Sequence, residues 1–141
     1  MDKNMNPIKL NQFKHITHEK LRYRDTDRQG HINNSLFATF LETARTELLY
    51  VTLNIDMEKN TFVIANLNIN FLNEIKWPGI VHIGTSIEKI GRSSFTLYQA
   101  IFQNDLLVST ATSVIVEVDL DTKKSKPMSE DLKDQLTKYL L

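Results

Sequence analysis

The sequence predicts an α+β fold in which one long helix lies against a mostly antiparallel five-stranded sheet, and three observations carry that prediction. From Ser35 to Tyr50 the apolar residues recur at helical spacing. Beyond Asn60, successive stretches alternate apolar and polar residues as half-buried strands do. The segments joining those stretches are short and built from turn residues, whereas parallel strands would need crossovers of about a dozen residues or more.

Taken in order, residues 1–12 are mostly polar and are expected to be a flexible N-terminus, followed by a single domain over 13–141. Lys14–Arg24 is an extended candidate in which Leu21 and Tyr23 share one face. A turn-rich segment, Asp25–Asn34, leads straight into the helix. There Phe37, Leu41, Ala44 and Leu48 form one ridge with Leu36 and Phe40 beside it, a stripe broad enough to be central to the core. Asn33 or Asn34 supplies the N-cap oxygen. After a loop near Asn54–Asn60, Val63, Ala65, Leu67, Ile69 and Phe71 alternate with Ile64, Asn66, Asn68 and Asn70, which predicts a strand with one apolar and one mixed face. Trp77-Pro78-Gly79 reads as a turn, Ile80–Ile90 as a strand and Gly91 as the next reversal. Ser94–Phe102 and Leu106–Val118 read as two further strands joined through Gln103-Asn104-Asp105, a hairpin turn by composition. Leu132, Leu136 and Leu140, with Ser129 as cap and Glu130 and Asp131 in the first turn, predict a short last helix.

Composition narrows the function classes. Seventeen Lys plus Arg balance seventeen Asp plus Glu, so no net field asks for nucleic acid or an anionic membrane as partner. Cysteine is absent, which excludes disulfides and thiolate nucleophiles or metal ligands and fits the cytoplasm. No window approaches the roughly 20 apolar residues of a membrane span, and the stretch MDKNMNPIKLNQF lacks a signal-peptide run, so a cytoplasmic protein is expected. His15, His18 and His82 stand outside the turn-rich segment and form no convincing metal set with His31, so no metal is expected. One helix covers only one face of a sheet that carries valines and isoleucines widely, so a homodimer whose interface shapes the site is expected, with a tetramer left open.

The segment Asp25-Thr26-Asp27, Gly30-His31-Ile32-Asn33-Asn34, followed by Phe37 and by Glu42-Thr43-Ala44-Arg45 on the helix, resembles the hotdog-fold acyl-CoA thioesterases of the 4-hydroxybenzoyl-CoA thioesterase type. The likeness continues through Gly91-Arg92-Ser93-Ser94, the valine-rich Val114–Val118, the turn Asp119–Asp121 and Pro127, and covers about residues 16–138. It departs only mildly, with Arg28-Gln29 after Asp27 and Ile32 where valine is usual. The resemblance implies a hotdog fold, a long helix wrapped by the sheet, and hydrolysis of an acyl-CoA thioester to a free acid and coenzyme A, with no further cofactor. It leaves open an acyl-carrier-protein thioesterase and a hotdog protein that binds acyl thioesters without turnover.

Thioester hydrolysis needs an attacking oxygen and donors for the developing oxyanion. A carboxylate beside a helix N-terminus with free N–H groups offers both. By the resemblance Asp27 is the carboxylate, as general base or as nucleophile; the plain alternative is an Asp that only accepts turn N–H bonds. Asp25 is read as a turn or orienting residue. The Asn34 main chain is the oxyanion candidate, Gly30 and Asn33 flank the substrate path, and His31 either polarises the carbonyl or organises the loop. Glu42 is the backup base, its alternative an ion pair with Arg45 three residues on. Phe37 is core that also lines the acyl pocket. For the coenzyme, the resemblance points to Gly91, Arg92, Ser93 and Ser94, with Lys89 and Lys76 weaker and the lysines at 123, 124 and 126 explained by a basic turn.

Overall fold

The computed structural model describes residues 8–141. Five antiparallel strands form one sheet in the order β1-β3-β4-β5-β2, where β1 is His15–Lys20, β2 Thr61–Phe71, β3 Ile80–Ile90, β4 Ser94–Gln103 and β5 Leu106–Val118. Helix α1 (Ser35–Thr46) crosses one face and α2 (Glu130–Thr137) closes the same face at the far end. Every strand and both helices fall where the alternation of residues places them.

The differences are local and have physical causes. Helix α1 has 12 α-helical residues, and Glu47–Thr52 then widen into a π-helix of 6 residues, in which Leu53 N–H donates to Leu48 O at 2.8 Å. The extended run expected through Arg24 ends at Lys20. The Asp25 carboxylate accepts the Arg22 N–H at 2.9 Å and pulls Tyr23–Asp25 into a 3-10 turn, so Leu21 is buried and Tyr23 is 73% exposed instead of sharing its face. In β2 a bulge at Ala65 shifts the register, so Phe62 and Ile64 point toward the helices with Leu67, Ile69 and Phe71, while Val63 joins Asn66, Asn68 and Asn70 on the outer face. Alternation alone had put Val63 with Leu67.

Of the N-terminal stretch, residues 1–7 lie outside the described residues. Leu10–Gln12 form a 3-10 turn, and Phe13 lies over Gly84 on the outer face and stacks on Tyr98 at 6.1 Å between ring centroids. The β4–β5 turn has Asn104 and Asp105 both at positive φ, 51° and 66°, the conformation of a two-residue hairpin that Asn and Asp tolerate. Helix α2 is capped as expected, with Ser129 Oγ accepting the Leu132 N–H at 3.1 Å.

What this scaffold positions is the start of α1. Phe37, Phe40, Leu41 and Ala44 are buried against Val81, Ile83, Ile101 and Ala111 of the sheet. Gln99 fixes the helix from beneath through its Nε2, which donates to Leu41 O and to Thr85 Oγ1, each at 3.0 Å. The segment before the helix is sewn to the sheet end by Ile32 N–H to Ile75 O at 2.8 Å and by an antiparallel bridge between His31 and Lys76.

Candidate active site

Asp25–Asn34 folds as two nested turns. Asp27 N–H donates to His31 O at 2.8 Å, and Gly30 closes the reversal at φ +79°, a conformation a side chain disfavours. Inside it, Asp27 Oδ1 accepts the N–H groups of Gln29 at 2.8 Å and His31 at 3.2 Å. The turn-forming role of Asp27 is therefore real, yet it uses one carboxylate oxygen; Oδ2 takes no hydrogen bond from the described residues. Asp25 is buried and ion-paired with Arg22 at 3.1 Å, so it holds the loop from behind.

The cap is supplied by Asn33, whose Oδ1 accepts the Ser35 N–H at 3.0 Å, and not by the side chain of Asn34. The next amides are also taken, Leu36 N–H by Asn33 O and Phe37 N–H by Asn34 O. Asn33 N–H donates to Asp25 O. Among the described residues the Asn34 N–H is left without an acceptor, a donor at the positive end of the helix.

Asp27, His31 and Asn34 line one cleft of about 370 Å³ together with Phe71 and Glu74. Of the last two, Glu74 was not singled out in the sequence and Phe71 only as an apolar strand residue. Phe71 meets Phe37 edge to face at 5.0 Å, so Phe37 lies fully buried beneath a residue that lines the cleft. Glu74 Oε2 stands 3.2 Å from His31 Nε2. Glu74 lies in the irregular link after β2, where neither period nor motif marks it; the bridge between His31 and Lys76 and the hydrogen bond from Ile32 N–H to Ile75 O bring that link to the loop.

The remaining candidates are elsewhere in the chain. Glu42 is two-thirds exposed and 3.9 Å from Arg45, and it is eight residues along the helix from Asn34, a rise of about 12 Å. The half of the molecule around Gly91, Arg92, Ser93 and Ser94 is opposite the cleft: that turn follows β3, whose 11 residues begin beside the loop and run about 35 Å away from it. Within one chain the structure does not bring these four residues, or Glu42, to Asp27. His15 is buried 3.5 Å from Glu47, and burial lowers its pKa against the pull of that carboxylate. His18 and His82 pair across the outer face at 6.1 Å between ring centroids.

The chain is 27% identical over 120 residues to the acyl-CoA thioesterase YbgC of Haemophilus influenzae, covering 81% of this chain and 88% of that one. It is 26% identical to the long-chain acyl-CoA thioesterase FadM of Escherichia coli, covering 85% and 95%. In structure it matches a predicted thioesterase from Bacillus stearothermophilus with a TM-score of 0.83 at 28% identity, covering 90% of this chain and 96% of that one. The family model described as the thioesterase-like superfamily matches residues 21–136, from just after β1 into the last helix, and the chain belongs to that superfamily.

Proposed function

We propose that this protein hydrolyses an acyl-CoA thioester at the Asp27 cleft and is a hotdog thioesterase of the 4-hydroxybenzoyl-CoA thioesterase type. The observation that carries the reading is the half-used carboxylate of Asp27 sharing a cleft with the unpaired Asn34 N–H. A water on Asp27 Oδ2 attacks the thioester carbon while its proton passes to the carboxylate. The carbonyl oxygen takes the developing charge facing the Asn34 N–H at the helix start. The C–S bond then breaks, the proton goes to the departing sulfur, and free acid and coenzyme A leave. Direct attack by Oδ2, with water resolving the acyl-enzyme, uses the same atoms. His31, paired with Glu74, positions the carbonyl or the water.

The working unit in this reading is a homodimer paired along β2. That strand is an edge, hydrogen-bonded on one side only, and its 11 residues TFVIANLNINF contain no charge and no proline, although edge strands are ordinarily blunted by both. Ile64, Leu67 and Phe71 on its helix side are 41–50% exposed in one chain. A two-fold axis through β2 sets the Phe71 end beside the partner's Thr61 end, and Val63, Val116 and Ser94 are successive neighbours across β2, β5 and β4. The turn Gly91–Ser94 of one chain thereby comes within a few strand spacings, each about 4.8 Å, of the Asp27 cleft of the other. The paired sheets then wrap the two helices, and a tetramer would be a dimer of such dimers.

The test is release of thiol from short-chain, medium-chain, long-chain and aromatic acyl-CoA esters by the full chain. Turnover of at least one ester is expected. Failure on all of them, in folded dimeric protein, overturns the proposal.

A further inference from the structure

His18 and His82 are far apart in the sequence, and spacing along the chain predicts no metal set for them. Strand pairing brings them together: they are register partners on β1 and β3, with ring centroids 6.1 Å apart and planes tilted by 46°. Val81 and Ile83 on either side of His82 pack into the helix-covered core, so His82 and its partner project from the opposite face of the sheet. His18 is exposed and His82 half-buried. On its other flank His82 is the register partner of Phe102, a buried ring in one cluster with Phe13. One side of His82 is thereby walled, and the other faces His18.

The other two histidines are each held by a carboxylate, His15 by Glu47 at 3.5 Å and His31 by Glu74 at 3.2 Å. His18 and His82 form no ion pair among the described residues, so the group each imidazole meets is the other imidazole. Neutral imidazole nitrogen is the commonest protein ligand for late first-row divalent ions, which it binds at about 2.0–2.1 Å. A tetrahedral ion shared by both rings sets their centroids about 5 Å apart. Closure by about 1 Å, supplied by the exposed His18 side chain, completes that chelate. No set of three or more His, Asp or Glu side chains exists among the described residues, so water fills the remaining positions on the ion. Two nitrogen donors without a carboxylate suit Zn²⁺, Ni²⁺ or Cu²⁺ and not Mg²⁺ or Ca²⁺, which require oxygen.

We propose that His18 and His82 form a surface chelate for a late first-row divalent cation, independent of the thioester chemistry, that staples β1 to β3. Strand β1 has 6 residues, is hydrogen-bonded to β3 alone at the edge of the sheet, and leads into the turn and loop that hold Asp27. An ion bridging the two strands binds the folded chain in preference to an unfolded one in which the two histidines are apart, so its occupancy raises stability.

The test titrates Zn²⁺ and, in parallel, Mg²⁺ into the full chain by calorimetry and records Tm with and without saturating Zn²⁺. The wild type is expected to bind Zn²⁺ and not Mg²⁺, and to gain roughly 5 °C in Tm with Zn²⁺. His18→Asn and His82→Asn are each expected to bind Zn²⁺ about tenfold or more weakly and to lose the gain in Tm. Absence of Zn²⁺ binding by the wild type, equal binding by wild type and variants, or a gain in Tm that survives both substitutions would overturn the chelate. His18→Asn, on an exposed side chain, keeps the test decisive if His82→Asn does not fold.

Discussion

His31 Nε2 and Glu74 Oε2 stand 3.2 Å apart across two segments that are 43 residues distant in sequence and joined by the bridge between His31 and Lys76. The glutamate fixes the imidazole beside Asp27, and it does so without touching Asp27. In the proposed reaction Glu74 is therefore a positioning residue. Glu74→Gln is expected to lower kcat roughly tenfold with KM changed by less than about twofold. Steady-state kinetics checks it, and a change confined to KM would assign Glu74 to substrate binding instead.

Gly30 tests the loop without touching its chemistry. Its φ of +79° disfavours a side chain, but a Cβ there would meet no atom within 4 Å. Gly30→Ala is expected to cost about 1 kcal/mol of stability and Gly30→Asn less, because the penalty is conformational and not steric. Thermal melts separate the two; a large loss for both would mean that the loop is packed more tightly than its open surroundings imply.

Much of this arrangement was legible in the sequence, and the exceptions share a cause. Period and turn residues located every strand and helix, because those signals are local. A free amide at the helix start, that of Asn34 or of a neighbour, was expected from the helix start alone, and the structure leaves the Asn34 N–H without an acceptor among the described residues. What escaped was set by pairing between distant segments: the bulge at Ala65, which exchanged the faces of Val63 and Ile64, and Glu74, which no local pattern distinguishes from a solvated charge. Tyr23 left the face of Leu21 because the Asp25 side chain closed a turn that alternation cannot report.

Glu117 gives a prediction about pH. The residue is 1% exposed, beside Phe62 on the neighbouring strand, with Lys126 Nζ 3.9 Å away as its ion partner. Burial raises its pKa, opposed by Lys126. A raised carboxyl pKa means that the folded chain holds the proton more tightly than the unfolded one, so its contribution is fully present below the ordinary value of 4.5 and is lost as pH rises through the raised value. Glu117→Gln is thus expected to raise Tm at neutral pH by roughly 3 °C, the gain vanishing as pH approaches 4.5. Melts at several pH values check both sign and window.

The β2 edge predicts a change of assembly. Leu67 is 41% exposed in one chain, so Leu67→Asp is expected to be tolerated by the protomer and to block pairing across the edge. Sedimentation equilibrium is expected to show dimer for the wild type and monomer for the variant, with thioester turnover lost together with the dimer. A variant that stays dimeric would place the interface elsewhere.

The most direct measurement is kcat for Asp27→Asn on the best acyl-CoA ester, with folding checked by circular dichroism and assembly by sedimentation. Asparagine keeps the oxygen that accepts the Gln29 and His31 amides but can neither take a proton nor attack. The account predicts that the loop persists and kcat falls by roughly 10²–10⁴-fold. Turnover by Asp27→Asn within a few-fold of the wild type would contradict it and send the search for the base to Glu42.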